Sequence, residues 1–339
     1  MASTGGAPRS TQQFPPTESR ALAPRRGQVI AIAVVAVAVG LVAILRARAR
    51  AQALTTVGAR LTLGTDGIVI GATTIDLAAD GNRAVLMLHG FGDTPQTLQY
   101  LAAYLHGQGW AVRAPLLPGH GRTLHEFSAS RAEEWIAFAR AELDALRARY
   151  DTIAIVGLSM GGALATVLAA ESSDVRALVL LAPYLSMPTR LRRAASLHRI
   201  LGVVTPFLRG GGDRSIRDPE EVTRNRAYGF LTPRLVFELS RIVARGRAAA
   251  PRVSVPTLVV QSRQDHRIPP DAAERAFALF AAPTRRMMWT EGNGHIITVD
   301  YGRQAIFAVV GEWLATHATR DEPALPAALP VSSLPRTTP

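Results

Sequence analysis

The chain reads as an α/β protein: a mostly parallel central sheet flanked by helices, with an inserted helical cap and one N-terminal transmembrane helix. Three observations carry this reading. From about residue 62, short β-branched runs alternate with amphipathic helical stretches, the rhythm of strand–helix–strand units. Residues 184–253 break that rhythm with arginines, Pro188, Pro206 and Gly210–Gly212. Residues 29–45 are an unbroken run of uncharged apolar residues.

Taken in order, residues 1–27 are polar, rich in Ser, Thr, Gly, Pro and Arg, and are expected to be a disordered tail. The run Val29–Leu45, VIAIAVVAVAVGLVAIL, makes a helix of roughly 26 Å at about 1.5 Å per residue. That is slightly short of a hydrocarbon core of about 30 Å, and Arg26 and Arg46 can snorkel to cover the difference. A membrane anchor is therefore expected at 28–46, followed by a linker at 47–61. A cleavable signal peptide ending at Ala51-Gln52-Ala53 is the rival reading. Against it stand the length of the run and the arginines at 46, 48 and 50 that follow directly. A buried core helix is disfavoured because one apolar all round needs burial on every side. Arginines flank the run equally on both sides, so orientation is not set.

Candidate strands of the body, 62–318, are Ala84–Leu88, Trp110–Ala114, Thr152–Val156, Ala177–Leu181, Thr257–Gln261 and Arg286–Trp289. Helical stretches fall between them at Pro95–His106, Ala132–Arg149, Met160–Ala170, Pro270–Phe280 and Tyr301–Thr316. A run such as ALVLL suits a strand buried on both faces. The proline-rich residues 319–339 are expected to be a disordered tail.

The chain has no cysteine, which excludes disulfides, thiolate metal sites and a cysteine nucleophile. All its basic residues are arginine, and the net charge is +12. The excess is concentrated in two blocks, +7 over residues 1–60 and +9 over residues 183–255, which leaves the rest slightly acidic. With no zinc-finger spacing, aromatic RNA-binding motif or helix-turn-helix pattern, this distribution points to membrane lipid rather than nucleic acid as a partner.

The chemistry lies in the motifs at the ends of the strands. TIAIV runs into Gly157-Leu158-Ser159-Met160-Gly161 and then directly into a helix-forming stretch, a G-x-S-x-G elbow in its strand–turn–helix setting. Glycines two residues either side let strand and helix approach closely, lifting the Ser159 hydroxyl clear of the sheet at a helix N-terminus. AVLML leads into His89-Gly90-Phe91-Gly92, where the backbone N–H of Phe91 can pair with that of Met160 as an oxyanion hole. His89, Gly90, Gly157 and Gly161 are read as structural, and so is His120.

An acid and a base follow downstream. Asp265 stands in the turn after TLVVQ, and His295 in Glu291-Gly292-Asn293-Gly294-His295 after the next strand. In this order His295 takes the proton from Ser159, and Asp265 fixes the imidazole tautomer. Asp271 is read as a cap of the following helix, and Asp300 as too close behind His295 to serve. Substitutions at either are expected to be mild. His266 neighbours the acid on a loop and is passed over.

LMLHGFGDT, APLLPGHG, IVGLSMGGALA, VRALVLLAP, PTLVVQSRQDHRIP and GNGHIITVD together resemble the carboxylesterase and monoacylglycerol lipase group of bacterial α/β-hydrolases, over residues 80–316. The resemblance implies an α/β-hydrolase fold, a cap over an acyl pocket, and cleavage of short- to medium-chain esters or monoacylglycerols with no cofactor and no metal. Acyl thioesters and lysophospholipids suit the same three residues, and an inactive membrane-tethered binding protein is the alternative of another class. The anchor and the basic cap depart from the group.

Overall fold

The computed structural model describes Ala2 and residues 26–210 and 215–318. The tails expected at 1–27 and 319–339 lie outside the described residues, except Ala2, Arg26 and Gly27. The chain divides into two units, residues 1–45 and 46–339.

In the first unit, residues 26–45 are helical and none of the apolar run is buried. By length and composition this helix can cross a membrane.

The same helix, α1 (Arg26–Arg60), continues into the second unit through the stretch expected to be a linker. The alternating Arg and Ala residues are strong helix formers, no proline interrupts them, and packing holds the last turns. Ala53 and Val57 are buried in the core with Leu61, Val69 and Ala72.

Among the described residues the main sheet has seven strands. β1 (Ile75–Leu77), β2 (Arg83–Leu88), β3 (Ala111–Ala114), β4 (Thr152–Leu158) and β5 (Val175–Leu181) precede the cap. Within the cap, β6 (Leu208–Arg209) and β7 (Phe230–Leu231) form a separate antiparallel ribbon. β8 (Thr257–Ser262) and β9 (Arg285–Thr290) complete the main sheet, in the order β1-β3-β2-β4-β5-β8-β9. All neighbours are parallel except β1, which runs antiparallel to β3.

Strand periodicity divides the core in two. Leu86, Leu88, Ile153, Ile155 and Leu178 face one side, while Val85, Met87, Ala154, Val156 and Val179 face the other. The second face packs with α2 (Gln99–Gly107). The first packs with α3 (Leu124–Ala129), α4 (Ala132–Arg147) and α5 (Met160–Glu171).

The segment expected as a cap holds α6 (Thr189–Ser196), α7 (His198–Val204), α8 (Pro219–Arg224) and α9 (Pro233–Ala249). Pro233 opens α9, and the Thr232 hydroxyl caps it by accepting the Leu235 N–H at 3.1 Å. α9 lies tight on α5: a Cβ at Gly246 would come 2.9 Å from the Ala163 carbonyl oxygen. The Arg46 guanidinium donates to the carbonyls of Gly202 and Val203 at the end of α7. Finally, α10 (Pro270–Phe277) lies on the first face and α11 (Arg303–His317) on the second.

Candidate active site

The elbow forms where β4 meets α5. Ser159 has φ 55° and ψ −114°, a conformation that costs a non-glycine residue energy and persists only where its surroundings enforce it. The glycines permit that crowding. A Cβ at Gly157 would lie 2.4 Å from the Gly161 carbonyl oxygen, and one at Gly161 would lie 2.0 Å from that of Leu88. The strained residue is pinned on both sides: its N–H donates to Leu181 O at 2.9 Å, and its carbonyl accepts from Tyr184 N at 2.9 Å.

Three strand ends bring the expected residues together. His295, after β9, places Nε2 2.8 Å from the Ser159 Oγ and Nδ1 2.7 Å from the Asp265 Oδ2. Asp265, just past β8, accepts backbone N–H bonds at Oδ1 from Arg267 (2.7 Å) and Ile268 (3.0 Å). Gln261, which sequence reasoning did not single out, donates from Nε2 to Asp265 Oδ2 at 2.8 Å. Burial pushes the Asp265 carboxyl up, but His295 beside it and the hydrogen bonds it accepts hold it below the usual carboxylate range. An ionised Asp265 accepts from Nδ1–H, which leaves Nε2 with its lone pair toward the serine hydroxyl.

Gly90 and Phe91 line the same cavity as Ser159. The backbone N–H groups of Phe91 and Met160 donate to no other described residue. Two unspent donors beside a nucleophile at the N-terminus of α5 can receive negative charge on a substrate oxygen.

His89 and His120 are both fully buried. His89 accepts the Leu117 N–H at Nε2 (3.1 Å), so its Nδ1–H donates to Gly90 O at 2.9 Å, and burial lowers its pKa to about 4. It is thereby neutral and braces the turn that carries Phe91. His120 packs its ring among Phe91, Phe127 and Trp135, and burial holds its pKa well below the usual value.

Of the passed-over acids, Asp271 departs from its expected role as a cap, and Asp300 has a structural one. Asp271 lies in the first turn of α10 and pairs with Arg275 at 2.7 Å, while the cap position is Pro269. Pro269-Pro270 already supplies the fixed φ that starts the helix. Asp300 is completely buried and accepts four backbone N–H groups, from Gly294 (2.7 Å), Arg217, Asp218 and Tyr301 (2.9 Å each). It joins the loop of His295 to the cap, a role that becomes visible only when residues 217 and 294 are brought together. His266 is exposed.

The cap partly covers a cavity of about 520 Å³ over Ser159 and His295. Leu191, Leu208, Leu231, Val236 and Leu239 give it apolar walls, and Arg60 and Arg209 also line it.

A parallel sheet whose middle strand runs into a strained serine at a helix N-terminus, with a histidine and an acid on neighbouring strand ends, defines an α/β-hydrolase. The chain belongs to the Hydrolase_4 family, serine aminopeptidase S33, whose match covers residues 79–301. It is 28% identical over 244 residues to the thermostable monoacylglycerol lipase of Bacillus sp. (strain H-257), spanning 71% of this chain and 94% of that one. It is 27% identical to a carboxylesterase of Bacillus subtilis (strain 168), over 69% of this chain and 93% of the relative. A solved structure from LipS and LipT, two metagenome-derived lipolytic enzymes, matches with a TM-score of 0.66 at 28% identity, covering 73% of this chain and 98% of that one. Membership and relatives together support hydrolysis of carboxylic esters by a serine hydrolase.

Proposed function

We propose that this carboxylic ester hydrolase works through an acyl-enzyme on Ser159, with His295 as general base and acid and Asp265 as its orienting partner. His295 Nε2 takes the hydroxyl proton as Oγ bonds to the ester carbonyl carbon. The carbonyl oxygen becomes an oxyanion held by the N–H groups of Phe91 and Met160. Collapse re-forms the carbonyl and breaks the bond to the alcohol oxygen, which leaves with the proton from His295. Water then repeats the sequence, releasing the acid and restoring the Ser159 hydroxyl. The observation that carries the proposal is the continuous line of 2.8 Å and 2.7 Å contacts from Ser159 through His295 to an acid kept ionised.

The apolar walls and limited volume favour short- to medium-chain acyl groups, including monoacylglycerols, as substrates. In this reading the apolar run at 29–45 is a single-pass anchor that holds the enzyme beside lipid substrate, and the basic cap adds attraction to anionic membrane lipid at about 1 kcal/mol per well-placed arginine. A fluorophosphonate probe is expected to label wild-type protein and not Ser159→Ala. Matched p-nitrophenyl octanoate and octanoyl-CoA assays are expected to favour the oxygen ester. Labelling that persists in the variant would rule out Ser159 as nucleophile, and faster thioester cleavage would reassign the substrate class.

A further inference from the structure

A second cleft opens at the seam between cap and core, with a volume of about 490 Å³. Four arginines from four separate elements line it: Arg192 on α6, Arg247 on α9, Arg267 in the loop after β8 and Arg275 on α10. Asp271 is the one acid in the described lining, and it pairs with Arg275 at 2.7 Å. Four guanidinium groups against one carboxylate leave the cleft at +3. Arg192 and Arg247 form no ion pair among the described residues. Thr189, at the start of α6, also borders the cleft, and no side chain caps that helix.

An arginine keeps its charge in a protein, so like charges gathered around one concavity repel until an anion joins them. No single helix face supplies this charge. The fold brings four elements together to make it. A planar guanidinium meets phosphate oxygens two at a time, which a point charge does not. The unspent N–H groups in the first turn of α6 favour the same sign of ligand. The acyl-transfer steps use none of these side chains. Arg267 alone lines both cavities, and what it gives the catalytic acid is its backbone N–H.

We infer that this cleft is a binding site for a phosphate group, separate from the catalytic cavity, where the bound anion joins the cap to the core. The phosphate comes either free from solution or as the terminal phosphate of a lipid headgroup, and the chemistry of recognition is the same. A volume of about 490 Å³ exceeds a bare phosphate and leaves room for a headgroup. Such a site differs from diffuse attraction of the basic cap to a membrane. It saturates at one ligand per chain, and it depends on the arginines of the cleft rather than on any arginine of the cap. It does not rest on the ester-hydrolase reading.

The test is calorimetric titration of the full-length chain in neutral detergent at constant ionic strength. The probes are inorganic phosphate, ether-linked dioctylglycerol phosphate and ether-linked dioctylglycerol, none of which carries an ester to cleave. Saturable binding of at least one phosphate compound is expected, one per chain, and tighter for the lipid phosphate than for the uncharged lipid. Arg192→Gln and Arg247→Gln should each weaken it by about tenfold or more, and Arg199→Gln, on α7 outside the lining, by less than about twofold. If one cleft variant fails to fold, the other carries the test. Saturation by inorganic phosphate assigns the site to phosphate itself, and saturation by the lipid phosphate alone assigns it to a headgroup. No saturable binding of either phosphate, or an equal loss in Arg199→Gln and the cleft variants, overturns the inference. Turnover is not the readout, so failure of the ester-hydrolase reading leaves these outcomes unaffected.

Discussion

The Asp300 carboxylate accepts the Gly294 N–H at 2.7 Å, one residue before His295. The same carboxylate accepts the N–H groups of Arg217 and Asp218 in the cap, and Ile296 N donates to Ser215 O at 2.8 Å. The base is thus tied to the cap from both sides of its loop. Asp300→Ala leaves four backbone donors without that acceptor, three of them outside its own turn. We expect a loss of stability on the order of 2–4 kcal/mol and a fall in kcat of roughly ten- to a hundredfold, read from thermal melts and active-site-titrated turnover. A variant with wild-type stability and turnover would return Asp300 to the mild class.

Much of this arrangement is legible in the sequence. Runs such as TIAIV and ALVLL are long and apolar enough to mark buried strands, and the G-x-S-x-G spacing fixes where one of them turns. Ser159 and Asp265 follow such strands, His295 follows the half-buried β9, and these three the fold brings within hydrogen-bonding distance. Other features had no local signal. β1 is three residues at a sheet edge, and β6 and β7 are two residues each, too short to show a period. Asp300 acquires its role from partners far along the chain, and Gln261 from the turn at the end of β8 that sets its amide against Asp265. Sequence spacing does not report those contacts.

Ser159→Ala removes the atom on which the acyl-enzyme forms. Turnover of a p-nitrophenyl ester should fall by roughly 10⁴–10⁶, with oxyanion and binding effects remaining. Its melting curve should stay near wild type, because the backbone bonds of residue 159 to Leu181 and Tyr184 do not involve the hydroxyl. Activity within tenfold of wild type in the folded variant would place the nucleophile elsewhere.

Asp265→Asn keeps the size of the side chain and loses the charge that orients His295. An amide facing Nδ1 can donate to it, which favours the tautomer with a proton on Nε2, where it cannot accept from Ser159. A fall in kcat of about 10⁴ near pH 7 is expected. Asp271→Asn, on an exposed pair with Arg275, should change kcat less than twofold. A larger effect at Asp271 than at Asp265 would contradict the assignment.

Asp93 gives stability a pH dependence of definite sign. Burial raises its folded pKa from 3.8 to about 7, so the folded state holds this proton more tightly than the unfolded one. The resulting stability is fully present below about pH 4, declines between pH 4 and 7, and is absent above. Asp93→Asn removes the ionisation and should therefore raise the melting temperature relative to wild type at pH 8, by the equivalent of up to about 4 kcal/mol. At pH 4 the two should differ much less. A variant that melts below wild type at pH 8, or whose advantage is the same at both pH values, would count against a buried carboxylate only partly compensated by the Thr94 N–H and Arg267.

The helical continuation of α1 sets where a soluble enzyme can be cut. Residues 29–45 offer the membrane an uncharged apolar helix, whereas Ala53 and Val57 belong to the core of the catalytic unit, and Arg60 lines its cavity. Deleting residues 1–45 should release a soluble protein with unchanged turnover of a water-soluble ester. Deleting residues 1–60 should destabilise it, since two buried side chains are lost along with the helix that carries them. Burial of those two alone is worth roughly 2–3 kcal/mol. If the run is an anchor, the full chain stays with membranes through an alkaline carbonate wash, and the shorter deletion hydrolyses monoacylglycerol in anionic vesicles more slowly than the full chain does. Full-length protein released by carbonate would refute the anchor. Equal stability of the two deletions would show that residues 46–60 only bridge, as the linker reading first had it.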